Sequence, residues 1–343
     1  MFFPSFIHLQ HWHTGPSAMK LFQILLVFIL GISTAVEGAV VFGEQIPTSD
    51  TVLKIEAHPE LGFNFPYYLR IPKGVNSQRI TYLLVETNNS GNNDSFAHHE
   101  RETYKEIIKN SLGASLCEGL AVPFLMPVFP RPAKEWWMYT HAYDKDAAHI
   151  KKGPMKRLDL QLIAMTAHAR GILKGYSISI AEKVLLNGFS ASGTFANRFT
   201  AIHPETVAGV ACGGINGIAI LPVNKLNGKA LDYPLGTADL KQLFGQEFDL
   251  KVYRVVPQFI YMGALDDNDA VTFDDAYGKA ERATVFNQLS QKMLPDRFSR
   301  CEAIYAENKV NVTFKTYPHI GHGTDRLIYT EVLAFFRRIM EHE

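Results

Sequence analysis

The stretch from Val184 to Gly193, VLLNGFSASG, constrains the fold more than any other part of the chain. Val184, Leu185 and Leu186 form a short apolar run suited to a buried parallel strand. Gly188 on one side and Ser192 with Gly193 on the other surround Ser190 with small residues. Thr194 to Ile202 then reads as a helix with Phe195, Phe199 and Ile202 on one face, closed by His203 and Pro204. Where a strand turns sharply into a helix, a serine between small residues sits in strained backbone geometry. Its hydroxyl lies at the helix N-terminus, where backbone N–H groups can face a developing oxyanion. In the G-x-S-x-G form of this turn the second glycine would stand at position 192. Here serine, also small, takes that place and glycine follows one step later.

Such a turn predicts an acid beyond a later strand and a histidine near the C-terminus. Pro257 to Met262 is an apolar strand candidate that runs into Gly263, Ala264, Leu265 and Asp266. Val312 to Tyr317 alternates as a half-exposed strand and ends in Pro318, His319, Ile320, Gly321, His322 and Gly323. The order Ser, Asp, His places each residue just beyond the C-terminal end of a strand, the edge at which open α/β sheets collect catalytic groups. Asp266 is favoured as the acid because Gly263 stands three residues earlier, whereas Asp267 is expected to face solvent and Asp269 to brace the loop. His322 is favoured as the base because Gly321 and Gly323 free the backbone to turn its ring towards Ser190. His319, directly after Pro318, is expected to stay near-extended and to line the site or cap the loop.

With 34 basic and 34 acidic side chains the 343-residue chain has no net charge, which argues against a nucleic-acid partner. Its 47% hydrophobic content is that of a globular protein with a sizeable core. Met19-Lys20, the apolar run Leu21 to Leu30 and the small-residue exit to Ala39 fit a secretory signal peptide spanning 1–38, with Met19 a candidate true start. The apolar core is shorter than the roughly 20 residues of a membrane span, so no stable membrane anchor is expected after cleavage. Secretion or a periplasmic location follows, with residues 39–343 as one domain. Cys117, Cys212 and Cys301 are too few for a disulfide framework, and their spacing suggests no metal site.

Taken in order, Val40 to Gly43, Thr51 to Ala57 and Tyr67 to Ile71 read as strands leading into the sheet. Arg79 to Val85 is a stronger strand opening into Glu86 to Gly91, and Asn88 or Asn89 is the expected second oxyanion donor. A polar helix is expected over Glu100 to Asn110, then a strand within Ala121 to Pro130 shortened by its prolines. The loop after it carries Trp136, Trp137, Tyr139 and His141, aromatic groups that would line a substrate groove or pack the loop onto the domain. Helices are expected at Arg157 to Leu173, Thr272 to Lys292 and Asp325 to Met340, and a buried strand at Val207 to Gly214. Residues 215–254 form an insertion placed to cap the site, with a short helix near Leu240 to Phe244. Strands and helices alternate, which predicts an α/β fold with a mostly parallel central sheet and helices on both faces.

The turn Gly188 to Gly193, the Gly263-x-x-Asp266 turn and the Gly321-His322 turn together resemble the α/β-hydrolase superfamily, over most of the chain from Arg79 to the end. The export signal and the loop after the third main strand are most similar to bacterial exported esterases and polyester-depolymerase-like serine hydrolases. The resemblance implies Ser190 as nucleophile, His322 as base, Asp266 as its orienting acid, and Ala191 with Asn88 or Asn89 as the oxyanion hole. It implies hydrolysis of a small or polymeric ester through an acyl-serine, without metal or organic cofactor. A serine peptidase of the same fold, which needs anchors for a peptide terminus, and a non-catalytic binding protein are the alternatives.

Overall fold

The computed structural model describes residues 47–341 apart from Asn216. The expected signal segment and the strand expected at 40–43 lie outside the described residues. The unit that begins at Gly43 is built on an eight-stranded sheet of order β1-β2-β4-β3-β5-β6-β9-β10. These strands are β1 (Thr51–Ile55), β2 (Tyr67–Ile71), β3 (Leu84–Val85), β4 (Phe124–Pro127), β5 (Val184–Phe189), β6 (Val207–Gly213), β9 (Gln258–Gly263) and β10 (Val312–Tyr317). A two-residue hairpin, β7 (Lys225–Leu226) with β8 (Lys229–Ala230), stands apart from the sheet. Within the eight-stranded sheet β1 and β2 pair antiparallel, as do β2 and β4, and every other neighbour is parallel.

Side-chain alternation along the strands divides the core in two. Val85, Leu186, Val210 and Ile260 join one cluster, which packs α3 (Leu158–Gly175), α4 (Ala191–Ile202) and α7 (Phe298–Glu307). Leu84, Leu185, Ala211 and Tyr261 join the other, which packs α2 (Leu112–Leu120) and α8 (Arg326–Glu341). Helices therefore cover both faces of a mainly parallel sheet, the architecture that the alternation in sequence predicts. The remaining longer helices are α1 (Phe96–Lys105), α5 (Leu240–Phe244) and α6 (Lys279–Gln288).

Several expected elements differ in extent. The strand expected at Arg79 to Val85 is paired as a strand only at Leu84 and Val85, with an isolated bridge from Thr81 to Ile180 upstream. The helix expected at Glu100 to Asn110 begins earlier, at Phe96, and its last turn widens into a π-helix over Glu106–Asn110. Pro123 lies outside β4 and Pro127 ends it, so neither removes an interior ladder bond. Beyond β9 the helix starts at Lys279 rather than Thr272, because the Gly278 N–H is capped by Glu281 Oε2 at 2.7 Å. The insertion at 215–254 sends Leu221, Leu231, Tyr233, Leu240 and Phe244 into the core of the α4 face. All three cysteines are free and buried. Among the described residues no helix is long and apolar enough to cross a membrane.

Candidate active site

Strand β5 delivers Ser190 into a turn with φ 61° and ψ −125°, a region that costs a non-glycine residue on the order of 1–3 kcal/mol. The surroundings enforce it. The Ser190 N–H donates to the Gly213 carbonyl at 2.9 Å, tying the turn to the end of β6. A Cβ at Gly188 would run into the Ser192 carbonyl, and one at Gly193 into the Gly213 carbonyl, so helix α4 can leave this closely only from glycine. Ser192 is more than small. Its hydroxyl donates to the Phe189 carbonyl at 2.8 Å and accepts the Phe189 N–H at 2.9 Å, stitching the helix start back to the strand.

Asp266 follows β9, where its N–H donates to the Gly263 carbonyl at 3.2 Å. A side chain at Gly263 would collide with the carbonyls of Ile320 and Gly321, so this glycine lets the acid loop lie against the histidine loop. The two loops are joined by Leu265 N–H donating to the Ile320 carbonyl at 2.8 Å. His322 lies 2.9 Å from Asp266 through Nδ1 and 2.9 Å from Ser190 Oγ through Nε2. A carboxylate only accepts, so Nδ1 carries the proton and Nε2 presents its lone pair to the serine hydroxyl. The Asp266 side chain is 1% exposed and that of His322 25%, a buried acid behind a base that reaches solvent. The Phe189 ring, 5.0 Å from the imidazole, and Gly214, where a Cβ would press on His322 Cε1, complete the ring's pocket. This is the Ser–His–Asp arrangement of a serine hydrolase.

The competing residues lie elsewhere. Asp267 is exposed, and Asp269 accepts the Val271 N–H at 3.1 Å and pairs with buried Arg297. His319 is exposed and adopts φ 64°, a left-handed turn in place of the extended backbone expected after proline. A second acid–histidine pair, Asp159 with His203 at 2.8 Å, is buried between the start of α3 and the end of α4. Burial opposes charge on Asp159, but hydrogen bonds from His203, Arg157 and Tyr143 outweigh it and hold the carboxyl well below its ordinary range. The Ser192 hydroxyl is committed to Phe189 and His203 Nδ1 lies 3.2 Å from the Gln246 amide, so this pair ties the start of α3 to the end of α4.

Around the oxyanion loop the structure is polar, buried at Asn88 and exposed at Asn89. Ala191 opens α4, so its N–H is one of the amides that a helix leaves without an internal partner. The Asn88 side chain is fully buried, accepting the Phe129 N–H and donating to the Phe129 carbonyl, both at 3.0 Å. The Asn89 N–H donates to Glu106 Oε2 at 3.1 Å. Beneath them Glu86 accepts from the Gly113 N–H and the Asn187 amide. Burial raises Glu86 to about 7 and Glu106 to about 8 against these opposing hydrogen bonds. His141 is fully buried with Nε2 donating to the Phe129 carbonyl at 2.9 Å, and burial lowers it to about 3, so it stays neutral. Tyr139 lies under the Arg131 guanidinium, 3.4 Å from its ring centroid, while Trp136 and Trp137 are 49% and 45% exposed.

One contact was not legible in sequence. Asn268 Nδ2 lies 3.2 Å from His322 Nε2, and the Asn268 N–H donates to Asp266 Oδ1 at 3.0 Å. The two residues stand 54 positions apart, and an asparagine two places after an acid carries no local signal.

No family model and no curated protein matches this sequence. Solved structures do. Poly(aspartic acid) hydrolase-1 from Sphingomonas sp. KT-1 superposes with a TM-score of 0.52 at 14% identity, covering 86% of this chain and 99% of the other. LpqC, a poly(3-hydroxybutyrate) depolymerase from Bordetella parapertussis, gives 0.50 at 14% identity, covering 84% and 89%. The chain has the α/β-hydrolase fold.

Proposed function

We propose that this protein is an exported serine hydrolase that cleaves carboxylic esters. The observation that carries the reading is the unbroken chain Asp266–His322–Ser190, 2.9 Å at each link, at the solvent-facing C-terminal edge of the sheet. In this reading Ser190 Oγ attacks the ester carbonyl as its proton passes to His322 Nε2, and Asp266 stabilises the resulting imidazolium. The Ala191 N–H and an amide of the Asn88–Asn89 segment hold the oxyanion. The Asn89 N–H is engaged with Glu106, which favours Asn88. The imidazolium then protonates the leaving alcohol, and water completes the cycle through the same base. Trp136, Trp137 and Tyr139 supply apolar surface for the substrate. Export rests on the basic start and apolar run at 19–39.

The names of the two fold relatives bracket the chemistry, since poly(3-hydroxybutyrate) is joined by esters and poly(aspartic acid) by amides. Esters are favoured here because an alkoxide leaves more readily than an amine. The purified protein should label with a fluorophosphonate and hydrolyse short p-nitrophenyl esters faster than aminoacyl anilides. Ser190→Ala should abolish labelling and lower kcat by on the order of 10⁶. Hydrolysis surviving in Ser190→Ala would overturn the assignment.

A further inference from the structure

His322 Nε2 has a second neighbour besides Ser190. The nitrogen that takes the proton in the proposed reaction is approached by Ser190 Oγ at 2.9 Å and by the Asn268 amide nitrogen at 3.2 Å. Neutral imidazole offers one lone pair there, so the two donors share it. The amide is held in place. The Asn268 N–H is bonded to Asp266 Oδ1, and Asp269, next in sequence, caps the turn at Val271 and is anchored on Arg297. One residue therefore touches both ends of the acid–base pair, the carboxylate through its backbone and the proton-accepting nitrogen through its side chain.

We propose that Asn268 is a further catalytic residue, whose carboxamide follows the proton on His322 Nε2. This rests on the reading of Ser190 as the nucleophile. In the resting site the Asn268 side-chain Nδ2–H donates to the neutral ring. When the Ser190 Oγ–C bond forms, the Oγ proton moves to Nε2, which can then no longer accept. The carboxamide turns about its last torsion, which is broad and roughly two-fold, and presents its oxygen to the new N–H. As the ester C–O bond breaks, Nε2 gives the proton to the departing alcohol and the amide returns. A carboxamide serves both states of the base. Leucine of similar size serves neither, and aspartate serves only the charged one. The charged group on the ring is Asp266 at Nδ1, with exposed Asp267 beside it, and Phe189 and Gly214 on the ring's other sides are uncharged.

The test is the rate at which a fluorophosphonate modifies Ser190 between pH 5 and 9 in the parent, Asn268→Leu and Asn268→Asp, with kcat and KM for a p-nitrophenyl ester alongside. In the probe reaction the Oγ–P bond forms, the P–F bond breaks with loss of fluoride, and the serine proton goes to His322. Asn268→Leu should label about tenfold more slowly with KM nearly unchanged, and its acid limb should stay in place, because the neutral ring loses a donor and the charged ring an acceptor together. Asn268→Asp should move the acid limb up by about one pH unit, because an added carboxylate favours the imidazolium. Should the leucine variant melt early, the isosteric aspartate variant carries the test alone. Variants that match the parent in rate and pH profile, with the parent labelling normally, would overturn the role of Asn268 and leave Ser190 standing. A parent that does not label would remove both.

Discussion

Asp266 and Asp269 sit three residues apart, yet the structure gives them opposite duties. Asp266 is bonded to His322, whereas Asp269 faces Arg297, a side chain with no exposed surface. Removing the charge from each should separate catalysis from stability. Asp266→Asn should lower kcat by about 10⁴ through the wrong imidazole tautomer while the melting temperature changes little. Asp269→Asn leaves a buried guanidinium without its carboxylate, a loss of about 3–5 kcal/mol, and should lower the melting temperature sharply while folded protein keeps near-parental turnover. Thermal melts and steady-state rates on the two variants check this pair, and the reverse pattern would reassign the acid. Residue types and their order were enough to single out Ser190, Asp266 and His322, because glycines mark the tight turns that present them. Asn268 was not legible, since its role comes from a fold that closes 54 residues of chain.

The turn at Ser190 behaves as one element, strand, serine and helix together, and its neighbours divide into two kinds. Gly193 is required by distance, since any side chain there meets the carbonyl of Gly213. Ser192 contributes hydrogen bonds to Phe189, which its small size alone did not suggest. Ser192→Ala should therefore cost about 1 kcal/mol and reduce activity mildly, whereas Gly193→Ala should abolish activity and destabilise the fold by more. Denaturant melts with ester turnover would show it, and a Gly193→Ala enzyme of parental activity would mean that the helix need not approach so closely. The same reasoning explains which elements sequence missed. Helix α2 contains Gly113 and Gly119, poor helix formers, yet Glu86 and Phe124 press on the first and Tyr329 and Leu333 on the second. Tertiary contact chose those glycines against local propensity. The single helix expected over Thr272 to Lys292 is in the structure α6 from Lys279, and a π-helix over Met293–Arg297 then leads into α7 at Phe298, beyond the reach of that pattern. Strands were easier to read because their buried runs stand between turn residues.

At the scale of the whole molecule, the loop after β4 crosses the sheet order to meet the segment after β9. Arg131 pairs with Asp275 at 2.6 Å and Lys145 with Glu281 at 3.0 Å, while Arg198 of α4 bonds both the Ala142 carbonyl and the Tyr277 hydroxyl. Between β4 and β9 lie β3, β5 and β6, so these contacts join loops from strands on either side of the one that carries Ser190. Buried acids lie beneath the same edge, and they set how stability depends on pH. Burial raises Glu86 from 4.5 to about 7, Glu106 from 4.5 to about 8 and Asp144 from 3.8 to about 7. In the window between the ordinary and the raised values the folded chain holds more protons than the unfolded one, so stability falls as pH rises. His141 acts in the other sense, because its fall from 6.5 to about 3 makes folding weaker as pH drops through that interval. Below about pH 6.5 the two trends oppose each other, and above it the carboxyl trend remains. Stability should accordingly decline between pH 6.5 and 8.5. Glu86→Gln keeps an acceptor for the Gly113 N–H and an amide that cannot ionise, so it should lose less over that interval, by on the order of 1 kcal/mol. Guanidinium melts of parent and variant at the two pH values measure the difference directly. Parallel declines in both proteins would mean that Glu86 ionises no later in the folded chain than in the unfolded one.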